Sequence, residues 1–273
     1  MTQITVVGSI NVDLTSRSAR LPSPGETVGA GSFTRQAGGK GANQAVALSR
    51  LGATSHMVGS VGRDEPGSFA LDNLRNAGVL VDHVAVRDAQ TGVALVMVDG
   101  DGENQIVICP GANDEVGAEV FDFIDGAVLT QLEIPMKSVE NLAQTTTGFL
   151  AVNSAPATPL SDGIVARGDL FIANETEFAL TPKLRDARLL VVTHGGAGAV
   201  MYEYGKEVAR ATAPRVDVVS TVGAGDAFCA ALTFAIVSGL SSEVALQAAC
   251  AVGSHAVEHE AAQPPLRPLA EYL

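Results

Sequence analysis

Asp226 stands in the stretch TVGAGDAFCAALTFAIV, residues 221–237, where two glycines precede a carboxylate and a long apolar run follows it. Glycine lets a backbone approach a ligand closely, and the N–H groups that open a helix lack partners within it and attract anions. A carboxylate is badly placed there if the only task is to bind phosphate. Beside a transferring phosphoryl group it has a role, as the base that takes the proton of an attacking hydroxyl. An Asp that merely caps a buried helix fits the same residues.

Further candidates follow other apolar runs. In GSINVD, Asn11 and Asp13 are two apart and share a face on an extended backbone. Their donors and acceptors suit neighbouring sugar hydroxyls, although a plain polar turn is equally compatible. In AGGKGANQA, residues 37–45, Gly38, Gly39 and Gly41 surround Lys40, with Asn43 one turn further on. The spacing is not that of the Walker loop, and no Ser or Thr follows the lysine. These glycines would instead admit a polyhydroxyl substrate against the backbone. Glu133, after VLTQL, can accept a substrate hydroxyl or orient water on a metal.

A phosphate end can be read in the same way. NETE places Asn174 and Glu177 one helical turn apart, with Glu175 between them. Magnesium keeps much of its water, so contact through water suits it better than a protein cage. An acidic helix start would look the same. In VVTHGGAG, Thr193 and the amides of Gly195, Gly196 and Gly198 can meet nucleotide phosphate. His194 is not read as the base, because Asp226 has the better surroundings. His255 and His259 lie in HAVEH, which lacks the metalloprotease order and points to a structural or surface role.

The elements that must position these residues alternate along the chain. Strands are expected at 4–7, 57–61, 128–132, 149–152, 170–173 and 189–193. Helices are expected at 40–51, closed by Gly52, at 69–77 behind an Asp64 cap, at 227–237 and at 242–257. Alternation of this kind predicts an α/β fold, a mostly parallel sheet covered by helices on both faces, with ligands beyond the carboxyl ends of the strands. Residues 12–17, 28–36, 91–98 and 104–109 read as extended and half-polar, the last two flanking the turn Asp99–Gly100–Asp101–Gly102. They are expected to form a small antiparallel sheet, a lid, a dimer contact or an ordinary hairpin. Nothing in the 273 residues demands more than one main domain, 1–273.

Composition excludes several classes. Thirty acidic against 17 basic residues give a net charge of -13 with no basic block, so neither nucleic acid nor an anionic membrane is an expected partner. Cys109, Cys229 and Cys250 form no zinc-like cluster and read as thiols in a reducing compartment. The start MTQITVVGSI has no basic leader, and the apolar run 227–237 is too short to span a bilayer. The expectation is a soluble, cytoplasmic protein.

Taken in order, GSINVD, PGE, GGKGANQA, TGVALV, GDGENQIVICPGAN, QLE, NETE, TVGAGD and AAQP cover nearly the whole chain, and together they resemble the ribokinase-like (PfkB) carbohydrate kinases. GGKGANQA with GAGD is the specific pair. The resemblance implies a three-layer α/β/α sandwich with a β-sheet lid, and ATP-dependent, magnesium-requiring phosphorylation of D-ribose at its 5-hydroxyl. Other pentoses, deoxy sugars, ketohexoses or adenosine are alternative acceptors, and a non-catalytic sugar or nucleotide sensor is a different class. It makes Asp226 the base and the amides of Gly223, Ala224 and Gly225 the anion hole. Asn11, Asp13, Gly38, Gly39, Lys40, Asn43 and Glu133 become the sugar site. Asn174, Thr193, Gly195, Gly196, Gly198 and the stretch from Ala249 to His255 serve ATP, and Glu177 holds magnesium through water. It also implies a homodimer joined through the lids. The monovalent-cation site of the family would fall at Ser220, Val222, Ala256, His259, Ala261 and Pro265. There Ser220 stands where an Asp is usual and Pro265 where a small hydroxyl residue is common, which puts potassium activation in doubt. The stretch between NETEFAL and LLVVT is also shorter than usual, so either neighbouring elements or another subunit must cover that part of the sheet.

Overall fold

The computed structural model describes residues 2–29, 31–101, 104–117 and 126–273. Ala30 and Gly102, which fall within an expected lid strand and its turn, lie outside the described residues. The chain begins β1 (Gln3–Val7), β2 (Asn11–Arg17), β3 (Ser32–Gly38), α1 (Lys40–Leu51), β4 (Thr54–Gly62), α2 (Glu65–Asn76), β5 (Leu80–Arg87), β6 (Gly92–Val98) and β7 (Asn104–Cys109). It continues β8 (Ala127–Thr130), α3 (Met136–Thr145), β9 (Leu150–Asn153), α4 (Asp162–Arg167), β10 (Leu170–Asn174) and α5 (Glu175–Leu180). The last elements are β11 (Leu189–Thr193), β12 (Ala199–Glu203), β13 (Lys206–Ala211), α6 (Ala224–Val237) and α7 (Ser242–Ala256).

Nine strands form one sheet in the order β13-β12-β11-β10-β9-β8-β1-β4-β5. It is parallel from β11 to β5, and β12 and β13 continue it as an antiparallel edge. The apolar runs have the composition they do because both faces are buried. Side chains alternate between two cores. Ile4, Leu129, Ala151, Ile172 and Val191 face the core under α1, α6 and α7. Val7, Val128, Val152, Phe171 and Val192 face the core that also holds Val139 of α3 and Ile164 of α4. Each fully buried Leu, Ile or Phe contributes about 1.5–3 kcal/mol of apolar transfer.

Local chemistry sets the helix limits. Gly52 closes α1 at φ 101°, where a side chain would be strained. Asp64 caps α2 by accepting from Gly67 N–H, and Pro66 occupies the first turn. Gly223, at φ 78°, starts α6 three residues earlier than the expected 227, so Asp226 lies inside the first turn of the helix.

The second sheet has the order β3-β2-β6-β7. The expectation of an antiparallel sheet is corrected here, because β2 and β6 pair in parallel, Asn11 opposite Gly92, while the other two pairs are antiparallel. Sequence patterning finds hairpins, whereas this central pairing joins segments distant in the chain, a tertiary choice.

The short stretch after α5 is covered from within. A 3₁₀ turn at Pro182–Asp186 buries Leu184 completely beside Phe171, Leu190 and Val192. Leu184→Ala is expected to cost about 2–5 kcal/mol. In urea the midpoint should fall at unchanged m; a loss below about 0.5 kcal/mol would mean that this turn does not carry the cover.

Candidate active site

The carboxyl ends of β8, β9, β10 and β11 open onto a cleft of about 740 Å³ roofed by the second sheet. Asn11, Asp13, Lys40, Asn43, Glu133 and Asp226 all line it. Residues expected to act together from widely separated segments of the sequence therefore do meet.

Asp226 is 7% exposed and sits in the first turn of α6. It does not cap the helix, because Gly223 occupies the cap position without a side-chain bond. Its Oδ2 accepts from Asn43 Nδ2 at 3.0 Å and its Oδ1 from Gln44 Nε2 at 3.0 Å. Burial pushes this carboxyl above its ordinary pKa. Lys40 and the two amide donors oppose the push, and Glu133 adds to it. For Lys40 burial favours the neutral amine, but Asp226, Glu133, Cys229 and Glu177 together outweigh it and raise the pKa. The ammonium thus stays charged beside the carboxylate. The first bond within α6 runs from Ala227 N to Gly223 O, and Ala224 N reaches Thr221 O at 3.4 Å. Gly225 and Asp226 N–H have no carbonyl a turn before them in the helix, which makes the helix start an anion site.

Asn11 and Asp13 hang from the root of β2. Both neighbouring strands make room for them: a Cβ on Gly38 would overlap the Asp13 carboxylate, and one on Gly92 would overlap Asn11 Oδ1. Asn11 Oδ1 accepts from Asn113 Nδ2 at 2.7 Å, and Asn113 also bonds Ile10 N and O. Asn11 is left with its NH₂ to offer, while Asp13 and Glu133 supply acceptors. Glu133 is fixed by Ser9 Oγ at 2.6 Å and Lys40 N at 3.1 Å, both on Oε2. Desolvation, then Glu133 and Asp226, raise the Asp13 pKa to about 6.

At the other end Asn174, Glu177 and Thr193 line the cleft. Asn174 and Glu177 form a reciprocal capping box, each accepting from the other's backbone N–H at 2.8 Å, so the helix-start reading of NETE is realised. His194 Nδ1 lies 3.0 Å from Glu175. Gly195, Gly196 and Gly198 form the turn after β11. Ala249 is buried in the apolar core and does not line the cleft. Nor does His255, which meets Pro265 O, Glu258 and the rings of His259 and Tyr272.

The residues assigned to a monovalent cation are used internally. Ser220 Oγ accepts from Val222 N, Ala256 O accepts from His259 N, and Pro265 O pairs with His255 Nε2. A serine hydroxyl is a weaker cation ligand than the carboxylate it replaces, and Ser220 Oγ already accepts one hydrogen bond. Among the described residues no group of three His, Cys, Asp or Glu side chains could hold a metal by itself.

Sequence reading missed Ser9, Gln44, Asn113, Gln131 and Gln263 as parts of the site. The signal was available as amides and a hydroxyl inside apolar or glycine-rich runs, which must find buried partners.

The Asp13 carboxyl ordinarily titrates near 3.8 but at about 6 in the fold, so the folded chain binds more protons between those values. The cost of the buried charge is fully present above pH 6 and fades as pH falls towards 3.8. Asp13→Asn is expected to stabilise the ligand-free protein by about 1–3 kcal/mol at about pH 7.5 and hardly at all at about pH 4, read by denaturation at both values. Stability equal to that of the parent protein at the higher pH would reject the buried charge.

Over residues 1–268 the sequence matches the family described as "pfkB family carbohydrate kinase". It is 38% identical over 267 residues to the ribokinase of Bacillus subtilis (strain 168), covering 90% of each chain. It is similar in structure to a ribokinase from Thermotoga maritima, with a TM-score of 0.88 at 26% identity and coverage of 100% of this chain and 98% of the other. Arabidopsis thaliana ribokinase, solved in complex with ribose and ATP, gives a TM-score of 0.87 at 29% identity, again covering 100% and 98%. The chain belongs to the pfkB family of carbohydrate kinases, and is an ATP-dependent sugar kinase of the ribokinase fold.

Proposed function

We propose that the chain transfers the γ-phosphoryl group of ATP to the 5-hydroxyl of D-ribose. The observation that carries this reading is Asp226, an ionisable carboxylate at a helix start, opposite a wall of hydroxyl-binding groups in one cleft. Asn11 donates while Asp13 and Glu133 accept, a pattern suited to a small polyol. The relatives named ribokinase support ribose as that polyol.

Asp226 takes the hydroxyl proton as the oxygen attacks the γ-phosphorus. The bond from that phosphorus to the β-phosphate oxygen breaks, and ADP leaves with the electron pair. The N–H groups at the start of α6 and the Lys40 ammonium face the charge that develops on the phosphoryl oxygens. The roof sheet excludes water, which would otherwise compete as acceptor.

The cleft lining itself calls for a divalent cation. Asp13, Glu133, Glu177, Asp226 and Glu260 outnumber Lys40 and Arg17, and a polyphosphate adds further negative charge. Glu177 fits magnesium through water, since Asn174 N–H occupies only its Oε2. When bound, the ion supplies charge neutralisation at the phosphate oxygens. Ser220 replaces the carboxylate usual at the potassium site, so no step is routed through that ion.

A homodimer through the roof sheets belongs to the same proposal. Phe33 is 66%, Leu95 45% and Val107 56% exposed on the roof's strands, apolar surface that a second copy would cover. No helix of the described residues is long and apolar enough to cross a membrane, and the proposed location is the cytoplasm.

Asp226→Asn is expected to lower kcat by about 10²–10⁴ while ribose binding, read by calorimetry, survives. Undiminished turnover would reject the base. Across ribose, deoxyribose, fructose and adenosine, ribose should give the highest kcat/KM, and preference for another acceptor would replace the substrate. Chelation of magnesium should abolish turnover, and rates in sodium and potassium should be equal. A clear potassium activation would overturn the reading of Ser220.

A further inference from the structure

Five carboxamides converge on Asp226, and only Asn43 among them stands out by its sequence motif. One arm runs from Gln131 Nε2 to Gln44 Oε1 at 2.6 Å, and from Gln44 Nε2 to Asp226 Oδ1 at 3.0 Å. The other runs from Asn73 Nδ2 to Gln263 Oε1 at 2.7 Å, from Gln263 Nε2 to Asn43 Oδ1 at 3.1 Å, and from Asn43 Nδ2 to Asp226 Oδ2 at 3.0 Å. Gln44 and Gln131 are wholly buried, and Asn43 is 7% exposed. The arms join helices α1, α2 and α6, the end of β8 and the loop after α7.

Their polarity is not arbitrary. An ionised carboxylate can only accept, so Asn43 and Gln44 must turn their NH₂ groups towards it. Their oxygens then face outward and require NH₂ from Gln263 and Gln131, and the oxygen of Gln263 requires NH₂ from Asn73. One charge therefore dictates the orientation of all these amides. Reversing any one of them would set oxygen against oxygen, or NH₂ against NH₂, at a contact that is buried in the first arm and half-buried in the second. Even the end of the first arm is constrained: among the described residues Gln131 Oε1 is buried without a partner, and a Cβ on Gly8 would overlap it.

We propose that Gln44, Gln131, Gln263 and Asn73 are positioning residues, which hold both oxygens of Asp226 as hydrogen-bond acceptors and aim the carboxylate at the acceptor hydroxyl. This rests on the reading of Asp226 as the base. The amides oppose the burial of Asp226 alongside Lys40 of α1. The other ionisable groups that face it are Glu133 after β8, Asp13 of β2, Glu177 of α5 and Cys229 of α6 itself. None of these donates a hydrogen bond to it among the described contacts, so the arms supply the directional part of its environment.

The test is the titration of the Asp226 carboxyl carbon by ¹³C NMR in the ligand-free protein, assigned with Asp226→Asn. Gln131→Glu keeps the shape but demands the NH₂ of Gln44, turning the Gln44 oxygen towards Asp226. The midpoint is expected to rise by about one pH unit or more. Gln44→Met should also raise it, by loss of one donor. The deciding comparison is the double variant: if the effect of Gln131→Glu passes through Gln44, it disappears in the Gln44→Met background. If it persists unchanged there, the introduced carboxylate acts only as a nearby charge, and the proposal falls. Should Gln131→Glu not fold, Gln263→Glu at a half-buried position makes the same demand on Asn43, and an unmoved midpoint in that variant overturns the proposal. The titration needs no sugar. Failure of the wild type on ribose would sink the substrate reading alone, while additive midpoints in a protein that phosphorylates ribose would sink only the arms.

Discussion

An ionisable carboxylate held almost out of water is the constraint on which the rest of this molecule turns. Asp226 can exist there as a base only if something offsets its desolvation, and the fold gathers what is needed from distant segments. Lys40 opens α1 and Asp226 lies in the first turn of α6, so packing α1 against α6 places a cation beside the anion. That packing itself relies on small apolar residues: Ala42, Ala45, Ala227, Ala230 and Ala231 are all buried in the shared core. Two helix starts can then meet at one point. The alanine-rich interface and the site chemistry are one requirement seen at two scales.

The wall that Asn11 and Asp13 form has a different origin. Asn11 and Asp13 belong to the roof sheet, yet they lie at its root, where β2 emerges directly from β1. Glycines on both flanking strands leave space for them, and Asn113 ties Asn11 and the Ile10 backbone to the turn after β7. Asp64 does similar work for the other entry, accepting from Thr91 N at 2.8 Å, where the chain approaches β6. These two side chains are thus anchored to the core, although the strand that carries them leads out over the cleft.

Much of this was legible in the residues. The helix 40–51 and the strands 104–109 and 189–193 have the expected limits, since apolar period, glycine stops and turn residues agree there. The elements missed were the strands β5, β12 and β13 and the helices α3, α4 and α5. β5 and β13 are half-exposed edge strands with mixed side chains, and α4 and α5 have six residues each, too few for a helical period to stand out. The parallel pairing of β2 with β6 leaves no local mark. The site followed the same rule. Asn11, Asp13, Lys40, Asn43, Glu133 and Asp226, which line one cleft, stood out because their residue types are chemically suggestive beside glycine turns. Gln44 and Gln131 did not, because a glutamine in an apolar run does not disclose which buried acceptor, 182 residues away in one case, it will serve.

The way the roof is attached has a mechanical consequence. Its strands leave the core at Ile10, Gly39, Thr91 and Pro110, and side chains of the core secure the first and third of these crossings. A seven-residue strand such as β2 reaches about 20 Å beyond that line. A pivot of the sheet about this line would have its fulcrum at Asn11 and Asp13. A turn of about 10° at the root would carry the far edge, near Arg17 and Val98, through about 3–4 Å, while Asn11 stays almost in place. Asn11 and Asp13 stand at one end of the strand and the rim of the cleft at the other, so such a pivot would widen the rim while the two side chains keep their place.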